Sequence, residues 1–230
     1  MIKYGLISEL DGKTLEKTID LITQREFIGQ EINITEIGIF DGQTARGLYE
    51  YVTTRHYGSA SANPSDGVMK DNTYKCNYTA IDNEKDKLIK LPFPECKFIR
   101  GNSNEVYNQI PDESQHLIFI DGCHNFPSVV QDFFCYERKI KKGGYMAFHD
   151  TGDHIQPFKD YQGVGSKDDQ DMYISVKKAL ERIGLMTEIF RTAPDGSKYF
   201  ECKFYGWKLI FHEADITDPA GGITVFKKLY

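Results

Sequence analysis

The sequence predicts a doubly wound α/β domain: a mostly parallel sheet with helices on both faces and antiparallel strands at its C-terminal edge. Three observations lead there. Apolar runs of strand length alternate with segments whose apolar residues recur every three or four positions, the order that builds parallel sheets. Polar residues follow one strand-like run after another, which would gather them along one edge of the sheet. Past Leu185 the alternation ends, and strand-like runs joined by proline and glycine turns take over.

The elements follow in order. Leu15, Ile19 and Ile22 recur at helical spacing, so residues 12–27 read as a helix within an N-terminal helical segment, residues 1–30. "INITEIGIF" (32–40), isoleucine-rich and bounded by glycines, reads as a buried strand, and Ala45, Leu48, Tyr49 and Val52 form an amphipathic helix after Gly42. "CNYTAID" (76–82) is a second strand with a helix in "EKDKLIK" (84–90) behind it; "KFIRGN" and "HLIFID" are the third and fourth strands. Phe126, Val129, Val130, Phe133 and Ile140 mark the clearest helix, which Gly143-Gly144 would stop. "YMAFHD" is the fifth strand, and Val176, Ala179, Leu180 and Ile183 give a further helix. "LMTEIF", "KYFECKFYGWKLIFHEA" and "GITVFKKLY" supply the antiparallel additions. Residues 57–75 and 152–171, rich in small polar, glycine and acidic residues, read as inserts, and loops that long are functional or mobile. With 40% hydrophobic and 13% aromatic residues, residues 1–230 suffice for one sizeable core and read as one domain.

Charge and cysteine usage narrow the partners. A formal charge of −6 with scattered lysines and arginines argues against nucleic acid, whose phosphates need a basic surface. The five cysteines, odd in number and without a C-x-x-C pair, imply reduced thiols in a cytoplasmic protein rather than a disulfide framework. No signal peptide opens the chain and no apolar run is long enough to span a bilayer, so no membrane partner is expected. Self-association into a homo-oligomer is left open.

Ligands of parallel α/β sheets bind at the carboxyl ends of the strands. There the sequence places Glu36 with Gly38, Asp82, Asn102 with Ser103, Asp121, and His149 with Asp150. Any one of these could be a cap or a turn residue, since Asp and Asn favour both. Five strand ends alike point to a site. The first turn, "EIGIFDGQT", has the position of a nucleotide-binding turn, but Phe40 replaces the middle glycine that lets a pyrophosphate approach, and no G-K-[ST] follows. The pattern E-x-G-x-x-x-G-x-T suits a ligand without phosphate, whose adenosine and amino-acid parts cross a glycine turn.

These residues resemble the first motif of class I S-adenosylmethionine (SAM) dependent methyltransferases, with a Rossmann-like fold. The resemblance covers most of residues 32–189. It implies that Glu36, Gly38, Gly42 and Thr44 line the cofactor turn, that Asp82 binds both ribose hydroxyls, and that Asn102, Ser103 and Asp121 add further cofactor contacts. "FIDGCHNF" followed by "GGYMAFHDT" resembles metal-dependent O-methyltransferases of the catechol and caffeoyl-CoA type and of the macrocin type acting on sugar hydroxyls. That implies a divalent metal, Mg²⁺ by analogy, on Asp121 and Asp150, with His149 a further candidate ligand and His124 a general base. Histidine suits the task because it titrates near neutral pH. The relatives carry Asp-Asp or Asp-Asn where this chain has His149-Asp150. Hard Mg²⁺ prefers oxygen ligands, so His149 stands outside the ligand set, or the metal is softer, or it has been lost; the first is the simplest. The expected activity is SAM-dependent methylation of a hydroxyl on a small acceptor such as a sugar unit. Two alternatives remain: an iron-dependent hydroxylase using His124, His149 and Asp150, as the name of one macrocin-like relative suggests, and an inactive SAM-binding protein. The insert after Asp150 is placed to close over the site, while His116 falls at the opposite end of the sheet.

Overall fold

Seven strands form one sheet, and their spatial order shows how the chain winds. The computed structural model describes residues 7–57, 73–83, 93–152, 176–187, 191–192, 198–199, 201–213 and 221–230. Within these, β1 (Ile32–Ile37), β2 (Cys76–Asp82), β3 (Lys97–Arg100), β4 (Gln115–Ile120), β5 (Ile140–His149), β8 (Trp207–Glu213) and β9 (Ile223–Lys228) pair in the order β3-β2-β1-β4-β5-β9-β8. Strands β1 to β5 are parallel, and β9 runs antiparallel to both β5 and β8. Two short strands, β6 (Arg191–Thr192) and β7 (Lys198–Tyr199), form a separate ribbon. The expected doubly wound architecture is the observed one. Its winding reverses between β1 and β4, where such sheets bind ligands.

Side chains alternate across the sheet and so build two cores. Ile32, Ile34, Leu117, Phe119, Tyr145 and Ala147 face α1 (Glu9–Leu21) and α2 (Gln43–Thr53), which bury Leu15, Ile19, Ala45, Leu48 and Val52 against them. Ile37, Ile118, Ile120, Met146 and Phe148 face the other way, toward α3 (Ser103–Val106), α4 (Phe126–Tyr136) and α5 (Val176–Arg182). Helix α1 ends in a π-helical turn over Ile22–Glu26, where the Thr23 hydroxyl bonds the Ile19 carbonyl. Salt bridges fix this segment to its neighbours, Asp20 with Arg55 at 2.7 Å and Glu26 with Lys227 at 2.5 Å.

Three boundaries differ from expectation. The first helix begins at Glu9, because Ser8 caps it by accepting the Asp11 N–H. Ile140 and Gly143-Gly144 belong to β5 rather than to the end of the preceding helix, which stops at Tyr136. The pairing with β4 shifts register there, and a Cβ on Gly144 would lie 3.1 Å from the carbonyl oxygens of Gln115 and His116, so the glycines serve a strand irregularity. The long strand expected over 198–214 is interrupted, since Gly206 turns with φ 88° and β8 begins only at Trp207. The expected helix at 84–90, most of both inserts and residues 188–190 of "LMTEIF" lie outside the described residues. The first insert is closed at its base by a bridge between His56 and Thr73. Among the described residues no helix is long and apolar enough to cross a membrane.

Candidate active site

The carboxyl ends of β1, β2, β4 and β5 meet around the reversal point. After β1 the chain turns at Gly38, whose φ is 84° and whose N–H bonds the Ile81 carbonyl of β2 at 2.9 Å. A Cβ there would stand 2.2 Å from the Asp121 carbonyl oxygen, so only glycine lets β1 and β4 end side by side. Gly42, also left-handed at φ 74°, is the N-cap of α2, and Thr44 is buried in that helix's first turn.

Asp82 ends β2, and its Oδ2 accepts the N–H groups of Ile39 at 3.1 Å and Phe40 at 3.4 Å, which ties the acidic side chain to the glycine turn. Beside it opens a cleft of about 560 Å³ lined by Asn83, Arg100, Gly101, Asn102 and Glu105. Asn102 faces this cleft and accepts from the Asn83 amide at 2.8 Å.

Two further expected contacts, Glu36 and Ser103, make bonds inside the protein. Glu36 is buried beneath the turn, where it accepts the Tyr78 hydroxyl proton at 2.8 Å. Burial pushes its carboxyl well above the usual range against that bond, and the Asp121 and Asp82 charges add to the effect. Ser103 donates to Asp132 of α4 at 2.5 Å, with Tyr136 bonded to the Ser103 carbonyl, so its hydroxyl anchors α3 to α4.

The polar group at the ends of β4 and β5 is denser. Asp121 continues from β4, held by its N–H to the Ile37 carbonyl at 2.8 Å. His124 follows in the turn before α4, whose N-cap Asn125 accepts the Ser128 N–H. Asp150 closes β5 in the left-handed region at φ 56°. Its neighbours hold that conformation: Thr151 and Gly152 donate to the carbonyls of Gly222 and Gly221 at 3.2 and 3.0 Å, and Thr224 bonds Thr151 through their hydroxyls at 2.7 Å. His124 Nε2 lies 3.0 Å from Asp150 and 3.5 Å from Asp121. One donor atom from each of Asp121, His124 and Asp150 fits within a 4.8 Å set, compact enough to hold a metal ion.

His149 lies among three carboxylates. Its Nδ1 lies 3.1 Å from Asp121 and 3.4 Å from Asp150, and its Nε2 lies 3.2 Å from Asp11. Burial alone would lower its pKa, but the Asp121 charge and the bonds to Asp11, Asp121 and Asp150 outweigh it and hold the ring well above the ordinary histidine range. Both ring nitrogens thus face carboxylates, and the ring stands outside the compact Asp121, His124 and Asp150 set. Among the described residues the compact set joins His124 and Asp150 with Asp121 rather than with His149, the third residue expected for an iron hydroxylase. Burial would raise the carboxyls of Asp121 and Asp150; the two histidines reverse this and hold both below the usual range.

Asp11 was not singled out in the sequence. It reads there as an acidic residue in the first turn of a helix, and nothing local announces a partner on β5. His116, by contrast, lies at the far end of β4 as expected, its Nδ1 accepting the Asn33 N–H at 2.8 Å.

Known proteins share this fold. No curated protein matches the chain. Among solved structures, a proposed caffeoyl-CoA O-methyltransferase from Staphylococcus aureus aligns over 98% of this chain and 86% of its own, with TM-score 0.59 and 17% identity. An O-methyltransferase from Bacillus cereus in complex with SAH, the demethylated form of SAM, aligns over 99% and 84%, with TM-score 0.57 and 13% identity. MycE, a methyltransferase of mycinamycin biosynthesis in complex with Mg and SAH, aligns over 98% of this chain and 50% of its own, with TM-score 0.53 and 13% identity. At these identities the likeness is one of fold. A methyltransferase domain model matches residues 35–151, just over half of the chain and the span that carries Glu36 through Asp150. By that match, this chain belongs to the methyltransferase domain family.

Proposed function

We propose that the protein transfers a methyl group from SAM to a hydroxyl of a small polyhydroxylated acceptor, such as a sugar, at the carboxyl ends of β4 and β5. The observation that carries this reading is the meeting, at one sheet edge, of the glycine turn held by Asp82 and its adjoining cleft with the compact Asp121, His124 and Asp150 set. Bound SAM supplies an electrophilic methyl on a sulfonium. A bound divalent cation supplies positive charge that lowers the pKa of a nearby hydroxyl. The protein's part is placement: Asp82 takes the ribose hydroxyls, while Asp121 and Asp150 fix the acceptor side at near-attack distance. His124 accepts the hydroxyl proton, and Asp150, 3.0 Å from its Nε2, stabilises the imidazolium that forms.

The same Nε2 belongs to the candidate ligand set, which supports a second reading: His124 as a ligand, in a mixed nitrogen and oxygen set suited to Mn²⁺ or Zn²⁺ as well as Mg²⁺. Substitution separates the two roles. As a base, His124→Gln keeps cation and SAH affinity and loses about 10²–10⁴-fold in kcat, with the rising limb near neutral pH gone. As a ligand, it loses cation affinity together with Asp121→Asn. His116→Gln, at the other end of the sheet, should match wild type in both measurements. The reading as a whole is tested by calorimetric titration with SAH, with and without Mg²⁺, followed by SAH release from SAM over a panel of sugars and catechols. No SAH binding removes the proposal. Binding without release on any hydroxylated acceptor leaves the inactive SAM-binding alternative in its place.

A further inference from the structure

Helix α1 brings to this site a carboxylate that packing does not require. Asp11 is fully buried (0% exposed) in the first turn of α1. Its Oδ2 accepts from the Ser8 hydroxyl at 2.8 Å and lies 3.2 Å from His149 Nε2. Its Oδ1 has no hydrogen-bond partner among the described residues. The bland account is a helix cap, since Ser8 in turn accepts the Asp11 N–H at 3.1 Å. A cap needs neither complete burial nor a bond to a strand 138 residues away, and a buried carboxylate with an unsatisfied oxygen is costly to keep.

The bond has a geometric effect. An imidazole held only at Nδ1, between Asp121 and Asp150, could swing about its Cβ–Cγ bond. Gripped at Nε2 as well, it presents Nδ1 to both carboxylates in one orientation, 3.1 Å from Asp121 and 3.4 Å from Asp150. Other contacts hold the segment elsewhere: the Asp20–Arg55 salt bridge ties α1 to the end of α2, and the Glu26–Lys227 bridge ties the π-helical turn to β9. From this we infer that Asp11 is a positioning residue of the transfer site, setting the His149 ring and through it the spacing of Asp121 and Asp150, so that α1 is part of the active site. The inference rests on the reading that these two carboxylates form that site.

Asp11→Asn tests it, because it keeps the shape and an acceptor for Ser8 while weakening the grip on His149. Ser8→Ala is the folding control, removing the cap but leaving the Asp11–His149 bond. Ring ¹⁵N–¹H spectra assigned to His149 and Mn²⁺ binding followed by electron paramagnetic resonance are read on the whole protein. The expected result is that Asp11→Asn loses or strongly shifts the slowly exchanging Nε2–H signal. It should also weaken Mn²⁺ binding about 10–100-fold, the usual cost of losing a residue that orients a ligand group, with SAH affinity unchanged. Ser8→Ala should lower the melting temperature without changing either readout. Asp11→Asn overturns the inference if the His149 ring signals stay as in wild type, or if Mn²⁺ affinity stays intact where Asp121→Asn abolishes it. If Asp11→Asn does not fold, a wild-type spectrum lacking a protected His149 Nε2–H overturns it, and one showing that signal upholds it. If neither wild type nor Asp121→Asn binds Mn²⁺, the metal reading fails by itself, and Asp11 is judged on the ring signals alone.

Discussion

Asp82 carries two duties that one substitution cannot separate without care. It accepts two backbone N–H groups of the glycine turn and, in the proposed reading, the ribose hydroxyls. Asp82→Ala should weaken SAH binding by about 1.5–3 kcal/mol, the range for hydrogen bonds to a charged group, as measured by calorimetry. Unchanged affinity would remove Asp82 from the site. Gly38 is a different case. Its Cβ would meet the Asp121 backbone rather than a ligand, and its φ of 84° is unfavourable to other residues. Gly38→Ala should therefore act first on folding, lowering urea stability by roughly 2–4 kcal/mol, with binding lost only as a consequence.

Elements show what was legible and what was not. The order of strands and helices could be read because β1, β2, β4 and β5 are largely buried on both faces and so appear as apolar runs ending in polar residues, while edge strand β3 keeps only a short apolar pair. The same logic put Asp121, His124 and Asp150 at one edge. It failed at Gly143-Gly144, because a glycine pair ending a helix and a glycine pair relieving a strand irregularity look alike locally; the carbonyls of Gln115 and His116, which decide the matter, lie on another strand. Gly144→Val should accordingly disturb the β4–β5 pairing and lower the melting temperature, whereas a helix-stop role would leave that temperature almost unchanged. Asp11 was hidden for a similar reason. Ser8-x-x-Asp11 already satisfies a capping pattern, and the partner that gives it meaning is on β5.

At the scale of the whole molecule, two buried groups pull stability in opposite directions with pH. Burial raises Asp132 to about 6 despite the Ser103 bond, so it holds its proton more tightly folded than unfolded, and its contribution is lost as pH rises from about 4 to 6. His116 is lowered to about 4, first by burial and then by Lys141, so its contribution is lost as pH falls from about 6.5 to 4. The two slopes, each on the order of 1 kcal/mol per pH unit, oppose each other over the shared window, where buried Glu36 adds to the loss on alkalinisation. Relative to wild type, urea stability between about pH 4 and 6 should fall on acidification in Asp132→Asn and on alkalinisation in His116→Gln. Parallel profiles for all three proteins would refute the assignment. The sheet order carries a last consequence, in the timing of synthesis. Strand β9 is made after β8 yet lies between β8 and β5, and Gly221 and Gly222 at its start secure the turn that holds Asp150. At the usual pace of translation, roughly 4–15 s pass between His149 and Ile223, during which the nascent β5 edge is bare and Asp150 has no clamp. Chains arrested before Ile223 should be protease-sensitive and chaperone-bound, and catalytic competence should arrive only with residues 221–228.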